Sequence, residues 1–195
     1  MNKEIKPISP PVYAPAEDSF LLSQVIEDYL ESKNKEELEK LTFLDMGTGS
    51  GIQSETASQF IPKDNIYAVD INEAAVKLVK SKGFKATRSD LFSDIKLRAM
   101  KFDIIAFNPP YLPEDEEGFD NLPDTTGGEK GDEVALVFLQ VSKNYLTQNG
   151  VIFLLVSSLT PTEKLKAEIQ QQGKKLEVVA SKKLFFETLE VWKID

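Results

Sequence analysis

Short apolar runs alternate with amphipathic stretches along most of the chain. Such alternation is typical of α/β proteins, in which helices separate the strands of a mostly parallel sheet. The apolar runs predict seven strands, which cover residues 41–46, 66–70, 84–88, 102–107, 151–156, 176–180 and 185–193. The amphipathic stretches predict helices, which cover residues 16–32, 52–62, 72–83, 134–146 and 160–173.

Two charged stretches lie between these elements. Residues 34–40 are predicted to be a helix end or a loop, and residues 113–131 a long loop that is acidic and rich in glycine. Glu17 and Asp18 are expected to favour the positive end of the first helix. No internal repeat divides the chain, so we expect one domain over residues 1–195, with a helical extension at 1–40 and a core at 41–195.

Composition limits the chemistry that this domain can perform. Its 195 residues include no cysteine and no histidine. Disulfides, thiolate zinc sites and nucleophiles activated by histidine are therefore excluded, and we expect no metal site. Any reaction must use carboxylates, amides, backbone groups or a bound cofactor.

Charge and hydropathy limit the expected location of the protein and the partners that it could bind. The polar, proline-rich residues 1–11 do not form a signal peptide, and the longest aliphatic run, at 151–156, is too short to span a bilayer. We therefore expect a cytoplasmic protein without a membrane partner. The net charge of −9 argues against nucleic acid as a direct substrate, because phosphate binding depends on clustered lysine and arginine.

A glycine-rich turn, LDMGTGSG at residues 44–51, separates the first strand from the next helix. Glycines let the backbone turn sharply and let a ligand approach closely, and open α/β sheets bind ligands at this edge. The turn approximates a dinucleotide-binding pattern, but the Asp45 carboxylate would repel a pyrophosphate. Asp45 suits instead the positively charged amino-acid part of S-adenosylmethionine. A tight turn without a ligand is the alternative.

Two further acids follow the second and third strands. Asp70 ends strand two, where a carboxylate can accept hydrogen bonds from both ribose hydroxyls of a nucleotide cofactor. Asp90 can accept from an adenine amino group, and Leu91 and Phe92 can line the ring. A capping role for Asp70 and an ordinary loop position for Asp90 are the alternatives.

The segment Asn108-Pro109-Pro110-Tyr111, here called the NPPY segment, directly follows the fourth strand. The two prolines restrict the backbone, so the Asn108 side-chain oxygen and the Pro109 carbonyl oxygen can be held as neighbouring acceptors. Two such acceptors match the two hydrogens of one planar NH₂ group, and Tyr111 would form a flat wall against it. A rigid turn without a chemical role is the alternative.

This arrangement predicts a reaction that needs no histidine. An amide nitrogen is a weak nucleophile because its lone pair is delocalised. Two hydrogen bonds from its protons would orient the nitrogen toward a sulfonium methyl group and would stabilise the positive charge that develops during attack. We therefore predict methyl transfer from S-adenosylmethionine to a planar amide or amino nitrogen.

Together these residues resemble the class I methyltransferases with an Asn-Pro-Pro-Tyr motif, and specifically the short eukaryotic and archaeal branch of the HemK-like glutamine methyltransferases. The resemblance covers nearly the whole chain. Residues 12–22, VYAPAEDSFLL, look like the segment that precedes the cofactor fold in that branch. Residues 126–131, TGGEKG, resemble its glycine pair after the catalytic loop, and residues 187–189, ETL, its C-terminal signature.

The resemblance implies a seven-stranded Rossmann-like class I methyltransferase sheet, mostly parallel with an antiparallel C-terminal strand and with helices on both faces. It implies S-adenosyl-L-methionine as the cofactor and, as the substrate, the glutamine amide in the Gly-Gly-Gln motif of a peptide chain release factor. The implied catalytic residues are Asn108, Pro109, Pro110 and Tyr111. The implied cofactor-binding residues are Ser19, Asp45, Gly47, Gly49, Asp70, Asp90, Leu91 and Asn108.

The chain also departs from the family's patterns. The bacterial branch carries a large N-terminal helical domain that recognises the release factor, whereas about forty residues precede the glycine turn here. Relatives in the short branch often have glutamate at the position of Asp45. That branch commonly works with a small zinc-binding activator subunit that shields an apolar sheet edge, so we expect such a partner near strand three.

The NPPY segment does not separate a glutamine amide from the exocyclic amine of adenine in DNA or RNA, which base flipping would present in the same way. Net charge and the acidic run at residues 114–117 disfavour a nucleic-acid strand. That run is either a solvated loop or a surface that steers a basic release factor. Two further alternatives are a non-catalytic module with the same fold, against which the intact segment speaks, and an NAD-dependent oxidoreductase, against which Asp45 speaks.

Overall fold

A computed structural model describes residues 12–94, 97–114 and 125–195 of the chain. The strands are β1 (Phe43–Met46), β2 (Ile66–Asp70), β3 (Lys85–Arg88), β4 (Phe102–Phe107), β5 (Leu146–Ser157), β6 (Leu176–Lys183) and β7 (Thr188–Ile194). The helices are α1 (Glu17–Glu31), α2 (Lys35–Leu38), α3 (Ile52–Ala57), α4 (Glu73–Ser81), α5 (Glu133–Ser142) and α6 (Glu163–Gln171). Single 3₁₀ turns cover Lys63–Asn65 and Lys143–Tyr145.

Within these ranges, seven strands form one sheet in the order β3-β2-β1-β4-β5-β7-β6. Neighbouring strands are parallel from β3 to β5, and β7 runs antiparallel between β5 and β6. The described residues thus confirm the predicted seven-stranded sheet, mostly parallel with an antiparallel C-terminal strand.

Helices cover both faces of the sheet, because alternate residues of a central strand such as β5 contribute to two separate cores. Helices α5 and α6 pack on one core through Phe138 and Leu165. Helices α1, α3 and α4 pack on the other through Ile26, Ala57 and Val79. No helix in the described part of the chain combines the length and the apolar character that crossing a bilayer requires.

Helix α1 has the apolar stripe that its sequence predicts. Leu22, Ile26 and Leu30 recur at one-turn spacing and are fully buried. The helix packs against α3 and against strands β5, β6 and β7. Asp18 in its first turn is also buried, although an acid at a helix N-terminus is expected to face solvent.

The boundary between α5 and β5 differs from the prediction. The helix ends at Ser142 and the strand begins at Leu146, so the predicted helix to residue 146 and the predicted strand start at residue 151 are wrong. Leu146 pairs with Phe102 of β4, and Thr147 Oγ1 donates to Asp103 Oδ1 at 2.8 Å. Pairing with a distant strand therefore overrides the polar composition of this stretch.

Two connections also differ from the prediction. The charged stretch after α1 contains the one-turn helix α2, which Asn34 and Glu37 close with a capping box. Strand β7 begins at Thr188, because Phe185 and Phe186 lie in the exposed connection that follows β6. Aromatic residues favour strands, which explains why the sequence pattern includes both in the last strand.

The carboxyl ends of β1 and β4 lie side by side in the middle of the sheet. Met46 of β1 pairs with Phe107 of β4, and β2 occupies the other side of β1. The order of the strands reverses at this point, which is where open α/β sheets bind ligands. The sheet thus brings the glycine turn and the NPPY segment together.

Candidate active site

A cavity of about 770 Å³ opens at the carboxyl ends of β1, β2 and β4. This volume lies in the range of small-molecule and cofactor sites. All the residues that the family resemblance implies for catalysis or cofactor binding line the cavity: Ser19, Asp45, Gly47, Gly49, Asp70, Asp90, Leu91, Asn108, Pro109, Pro110 and Tyr111.

The glycine turn after β1 uses backbone conformations that other residues rarely adopt. Gly47 has a φ of 62°, and a Cβ there would lie 3.0 Å from Phe107 Cε2. Gly51 has a φ of 87° and begins α3, and a Cβ there would lie 2.9 Å from Val79 Cγ2. Both positions therefore require glycine, and the backbone of the turn borders the cavity without side chains in the way.

Asp45 is buried beneath the turn and holds it to α3. Its Oδ2 accepts hydrogen bonds from Thr48 Oγ1 at 2.6 Å, from Ser54 Oγ at 2.7 Å and from Ser54 N at 3.0 Å. Burial raises the pKa of Asp45 from 3.8 to about 6, although these hydrogen bonds act in the opposite direction. Asp45 therefore shapes the turn, and its contact with a cofactor stays a prediction.

Asp70 supports the turn from the end of β2. Its Oδ2 accepts from Gly49 N at 2.8 Å, and its Oδ1 accepts from Asn72 N at 2.8 Å. Asn72 Oδ1 in turn accepts from Ala74 N and caps α4. Asp70 thus has a structural role in addition to the ligand-binding role that its position predicts.

The loop after β3 contributes two of the three residues predicted there. Asp90 is exposed, and Leu91 adopts a left-handed backbone with a φ of 46°, which is rare outside glycine. Phe92, expected beside an adenine ring, is absent from the described cavity lining. Its ring is buried and stacks on Tyr145 with centroids 4.2 Å apart, so packing in the core takes the place of the predicted role.

Asn108 begins the NPPY segment and is tied to helix α1. Its Nδ2 donates to Asp18 Oδ2 at 3.0 Å. Its Oδ1 is buried and has no hydrogen-bond partner among the described residues. Leaving a buried acceptor unpaired costs about 1–3 kcal/mol, so this oxygen marks a place where a donor group of a ligand would be stabilised.

Tyr111 ends the NPPY segment. Thr160 Oγ1 donates to its carbonyl oxygen at 2.8 Å and fixes the backbone. Burial, and after it the negative charges of Asp18 and Glu187, hold the pKa of the Tyr111 hydroxyl well above its usual value. The phenol therefore stays protonated near neutral pH and does not act there as a tyrosinate base.

The glycine-rich segment that precedes α5 packs against the NPPY segment. A Cβ on Gly127 would lie 2.4 Å from Pro110 O, and one on Gly131 would lie 2.3 Å from Tyr111 O. Such contacts exclude any side chain at either position. These glycines thus support the conformation of the NPPY segment, a role that the sequence does not predict.

The acidic run is described only at its first residue. Glu114 is exposed, and its backbone N donates to Gly128 O at 3.0 Å. Asp115, Glu116 and Glu117 lie outside the described residues. A role of the run in steering a basic partner stays a prediction.

Tyr13, Asp18 and Gln53 are among the residues that line the cavity and to which the sequence assigns no part in the site. Tyr13 donates its hydroxyl to Asp18 Oδ2 at 3.0 Å, and Gln53 Nε2 donates to Ser19 O at 2.9 Å. The signal that the sequence offers for Asp18 is its position directly before Ser19. That signal is weak, because acids are common in the first turn of helices.

Known proteins with similar sequences and folds are methyltransferases. The family model described as Methyltransferase small domain matches residues 23–186. A protein of Methanocaldococcus jannaschii, named provisionally as a protein N5-glutamine methyltransferase, is 37% identical over 94% of this chain and 91% of its own length. The eRF1 methyltransferase catalytic subunit mtq2 of Schizosaccharomyces pombe is 26% identical over 94% of this chain and 88% of its own length.

A solved structure has the same fold. It is the E. cuniculi Mtq2–Trm112 complex, which is described as responsible for the methylation of the eRF1 translation termination factor. Its matching chain is 26% identical to this one, with a TM-score of 0.71, and the match covers 94% of this chain and 98% of that chain.

We predict that the Asp45→Asn variant becomes more stable, relative to the native chain, as the pH rises from about 4 to about 7. Because the pKa of Asp45 is raised in the folded state, its contribution to stability is complete below the unfolded value of 3.8 and is lost as the pH rises through about 6. This loss corresponds to ~3 kcal/mol in the free energy of unfolding. Urea unfolding at both pH values measures it.

The matched control is Asp28→Asn, which removes an exposed carboxylate from α1. Its free energy of unfolding should follow that of the native chain at both pH values. If the free energies of unfolding of the native chain and of Asp45→Asn differ by the same amount at both pH values, the raised pKa of Asp45 is contradicted.

Proposed function

Because the chain belongs to the methyltransferase small-domain family, we propose that it methylates the glutamine side-chain amide in the Gly-Gly-Gln motif of a peptide chain release factor. The names of its relatives, which describe N5-glutamine and eRF1 methylation, support this substrate. The observation that carries the proposal is Asn108 Oδ1, a buried acceptor without a described partner on a residue that lines the cavity. A planar NH₂ group would satisfy it.

The cavity suits S-adenosyl-L-methionine, which supplies a methyl group on a positively charged sulfonium when it is bound. Carboxylates outnumber cations in the lining, and this balance favours a cationic ligand over the pyrophosphate of a dinucleotide. The acids are Asp18, Asp45, Asp70, Glu73 and Asp90, and the cations are Lys77 and Arg88.

Each predicted cofactor-binding residue has a proposed part. Asp70 would accept from the ribose hydroxyls, while Asp90 and Leu91 would hold the adenine. Asp45 would stabilise the charged amino-acid part, directly or through water. The remaining contacts would come from Ser19, Gly47, Gly49 and Asn108.

The NPPY segment would position the target nitrogen. Asn108 Oδ1 and the Pro109 carbonyl oxygen would accept from its two hydrogens, so that its lone pair points toward the methyl group. Both acceptors would also stabilise the positive charge that develops on the nitrogen during attack. Pro110 would keep the backbone rigid, and Tyr111 would pack against the flat amide with its hydroxyl protonated.

Exposed apolar side chains at the edge where the cavity opens favour a protein substrate over nucleic acid. Ile71 follows β2, Leu112 follows the NPPY segment and Leu159 follows β5, and all three are exposed. Phe185 and Phe186 connect β6 to β7 at the same edge and are 92% and 85% exposed. Exposed apolar surface of this kind marks protein contacts, whereas nucleic-acid sites need clustered cations.

We also propose a small activator subunit, which the Mtq2–Trm112 complex of the structural neighbour supports. Strand β3 is an edge of the sheet, and the unpaired backbone of an edge strand can pair with another chain. Lys85 and Arg88 at its ends are exposed, and Ala86 and Thr87 between them are half-buried. If the activator binds zinc, it must supply the ligands itself, because this chain has no cysteine or histidine.

We predict that Asp70→Ala weakens the binding of S-adenosylmethionine and of its demethylated product by ~1.5–3 kcal/mol, the loss typical of hydrogen bonds to a charged group. Both ligands carry the ribose, so both should lose affinity equally. Calorimetric titration measures the two affinities. Asp64→Ala is the matched control, because Asp64 lies just before β2 and its side chain is 92% exposed. Equal affinities for native chain and Asp70→Ala would contradict the assignment of Asp70.

The proposed function is tested by methyl transfer to a release factor. We predict that the native chain modifies the glutamine of the Gly-Gly-Gln motif and that Asn108→Ala lowers the rate by about 10²–10³, with a much smaller change in cofactor affinity. The reason is the loss of one preorganised acceptor on the target NH₂. Transfer of a labelled methyl group, followed by mapping of the modified residue, measures the effect.

Two substrate controls make this test specific. A release factor whose motif glutamine is changed by Gln→Glu offers no NH₂ group and should stay unmodified, and an adenine-containing DNA is assayed in parallel. Modification of adenine without any modification of release factor would overturn the substrate. An Asn108→Ala enzyme as fast as the native one on every accepted substrate would overturn the mechanism.

We predict that co-expression with a Trm112-like subunit raises soluble yield and methylation rate, because it would cover the β3 edge. Ala86→Glu should abolish co-purification, since it places a charge in that contact. Val178→Glu, on exposed Val178 of the opposite edge strand β6, is the matched control. If only Val178→Glu abolishes co-purification, the activator binds at β6 and not at β3. If the isolated chain is a stable monomer with full activity, it does not need a partner.

A further inference from the structure

Asp18 is a buried carboxylate to which sequence analysis assigns no role in the reaction. It lies on α1, and it meets Asn108 from 90 positions away along the chain. We propose that Asp18 is a positioning residue, whose carboxylate turns the Asn108 side-chain amide so that Oδ1 faces the target nitrogen. This inference rests on the proposed function of Asn108.

The Asp18 carboxylate is itself held in place. Its Oδ1 accepts from the backbone N and from the hydroxyl of Ser19. Its Oδ2 accepts from the Tyr13 hydroxyl at 3.0 Å and from Asn108 Nδ2 at 3.0 Å. The side chain is 4% exposed. Hydrogen bonds to both oxygens leave the carboxylate little freedom to rotate, so it forms a fixed acceptor behind Asn108.

A fixed carboxylate selects one orientation of the Asn108 amide. An amide has a donor end and an acceptor end, whereas an ionised carboxylate only accepts. Nδ2 must therefore face Asp18, and Oδ1 must take the other position, where it has no partner among the described residues. The reversed amide would place Oδ1 against Asp18 Oδ2, two acceptors without a proton between them.

The charge of Asp18 adds a second effect. Its described hydrogen-bond partners are Tyr13, Ser19 and Asn108, none of which is a cation. A buried carboxylate without a cation is unfavourable for folding, so a neutral side chain would serve a purely structural role at lower cost. A negative charge behind the Asn108 amide polarises it and stabilises the positive charge that develops on the methylated nitrogen.

The surroundings show that this charge reaches the site. After burial, the charge of Asp18 is the largest of the influences that raise the pKa of Tyr111, at the other end of the NPPY segment. Tyr13 and Ser19, which hold the carboxylate, also line the cavity. Asp18 therefore contacts the start of the NPPY segment through the hydrogen bond to Asn108, and its charge acts on Tyr111 at the other end.

The test is a double-mutant cycle between Asp18 and Asn108 in the full chain. The rate of methyl transfer is compared for the native chain, Asp18→Asn, Asn108→Ala and the double variant. We expect Asp18→Asn to lower kcat about 10- to 100-fold, with cofactor affinity changed by less than about threefold. In the Asn108→Ala background the same substitution should have almost no further effect, because the group that Asp18 orients is gone.

Asp28→Asn is the matched control, since it makes the same change on an exposed residue of the same helix and should leave kcat unchanged. If the rate of the double variant falls by the product of the two single losses, Asp18 and Asn108 act independently and the inference is overturned. A fall in cofactor affinity as large as the fall in kcat would also overturn it. The cycle is measured on whichever NH₂ substrate the native chain accepts, so failure of the release-factor assignment leaves this test intact.

An exchange of the two side chains covers the case in which Asp18→Asn folds poorly. Asn108→Asp alone places two carboxylates against each other, and kcat should fall. Adding Asp18→Asn restores an amide–carboxylate pair with donor and acceptor exchanged, and kcat should recover at least about tenfold. An exchange variant no faster than Asn108→Asp alone would overturn the inference, because a purely local role of Asn108 predicts no rescue.

Discussion

The parallel pairing of β1 with β4 is the interaction on which the site depends. Met46 and Phe107 are register partners, and the glycine turn and the NPPY segment leave the sheet directly after them. The contact is close, since a Cβ on Gly47 would lie 3.0 Å from the Phe107 ring. Both strands are buried on both faces. The glycine turn and Asn108 therefore follow directly from two buried strands, and a site built on strands is more precise than a site built on loops.

A second constraint is the negative charge that this arrangement concentrates. Asp18 and Asp45 are buried, and their described hydrogen-bond partners are hydroxyl, amide and backbone groups. Buried carboxylates without cations lower the stability of the fold, and the raised pKa of Asp45 is one sign of that cost. A cationic ligand would offset it, so binding and folding should be linked. The same negative charge favours a cationic ligand over a pyrophosphate.

The sequence predicts the elements and residues that depend on local pattern. Strands β2 and β4 have the predicted bounds, because both apolar runs have the length of a strand and are followed by turn-forming residues. The start of β5 could not be predicted, since pairing with β4 extends it through polar residues. The places of Phe92 and Phe185 could not be predicted either. Both are aromatic, and tertiary packing puts one in the core and the other in an exposed connection.

Asp18 illustrates a different limit, because the sequence explains an acid at this position but does not predict that it is buried. An acid in the first turn of a helix has a sufficient local explanation, so nothing in the pattern asks for a partner 90 positions away. Asp18 meets Asn108 only because α1 packs beside the NPPY segment. In a chain without histidine, catalysis cannot depend on matching the pKa of an imidazole base to the pH. In the proposed mechanism it depends instead on the direction in which neutral acceptors point, so the groups that orient the Asn108 amide would matter as much as the amide itself.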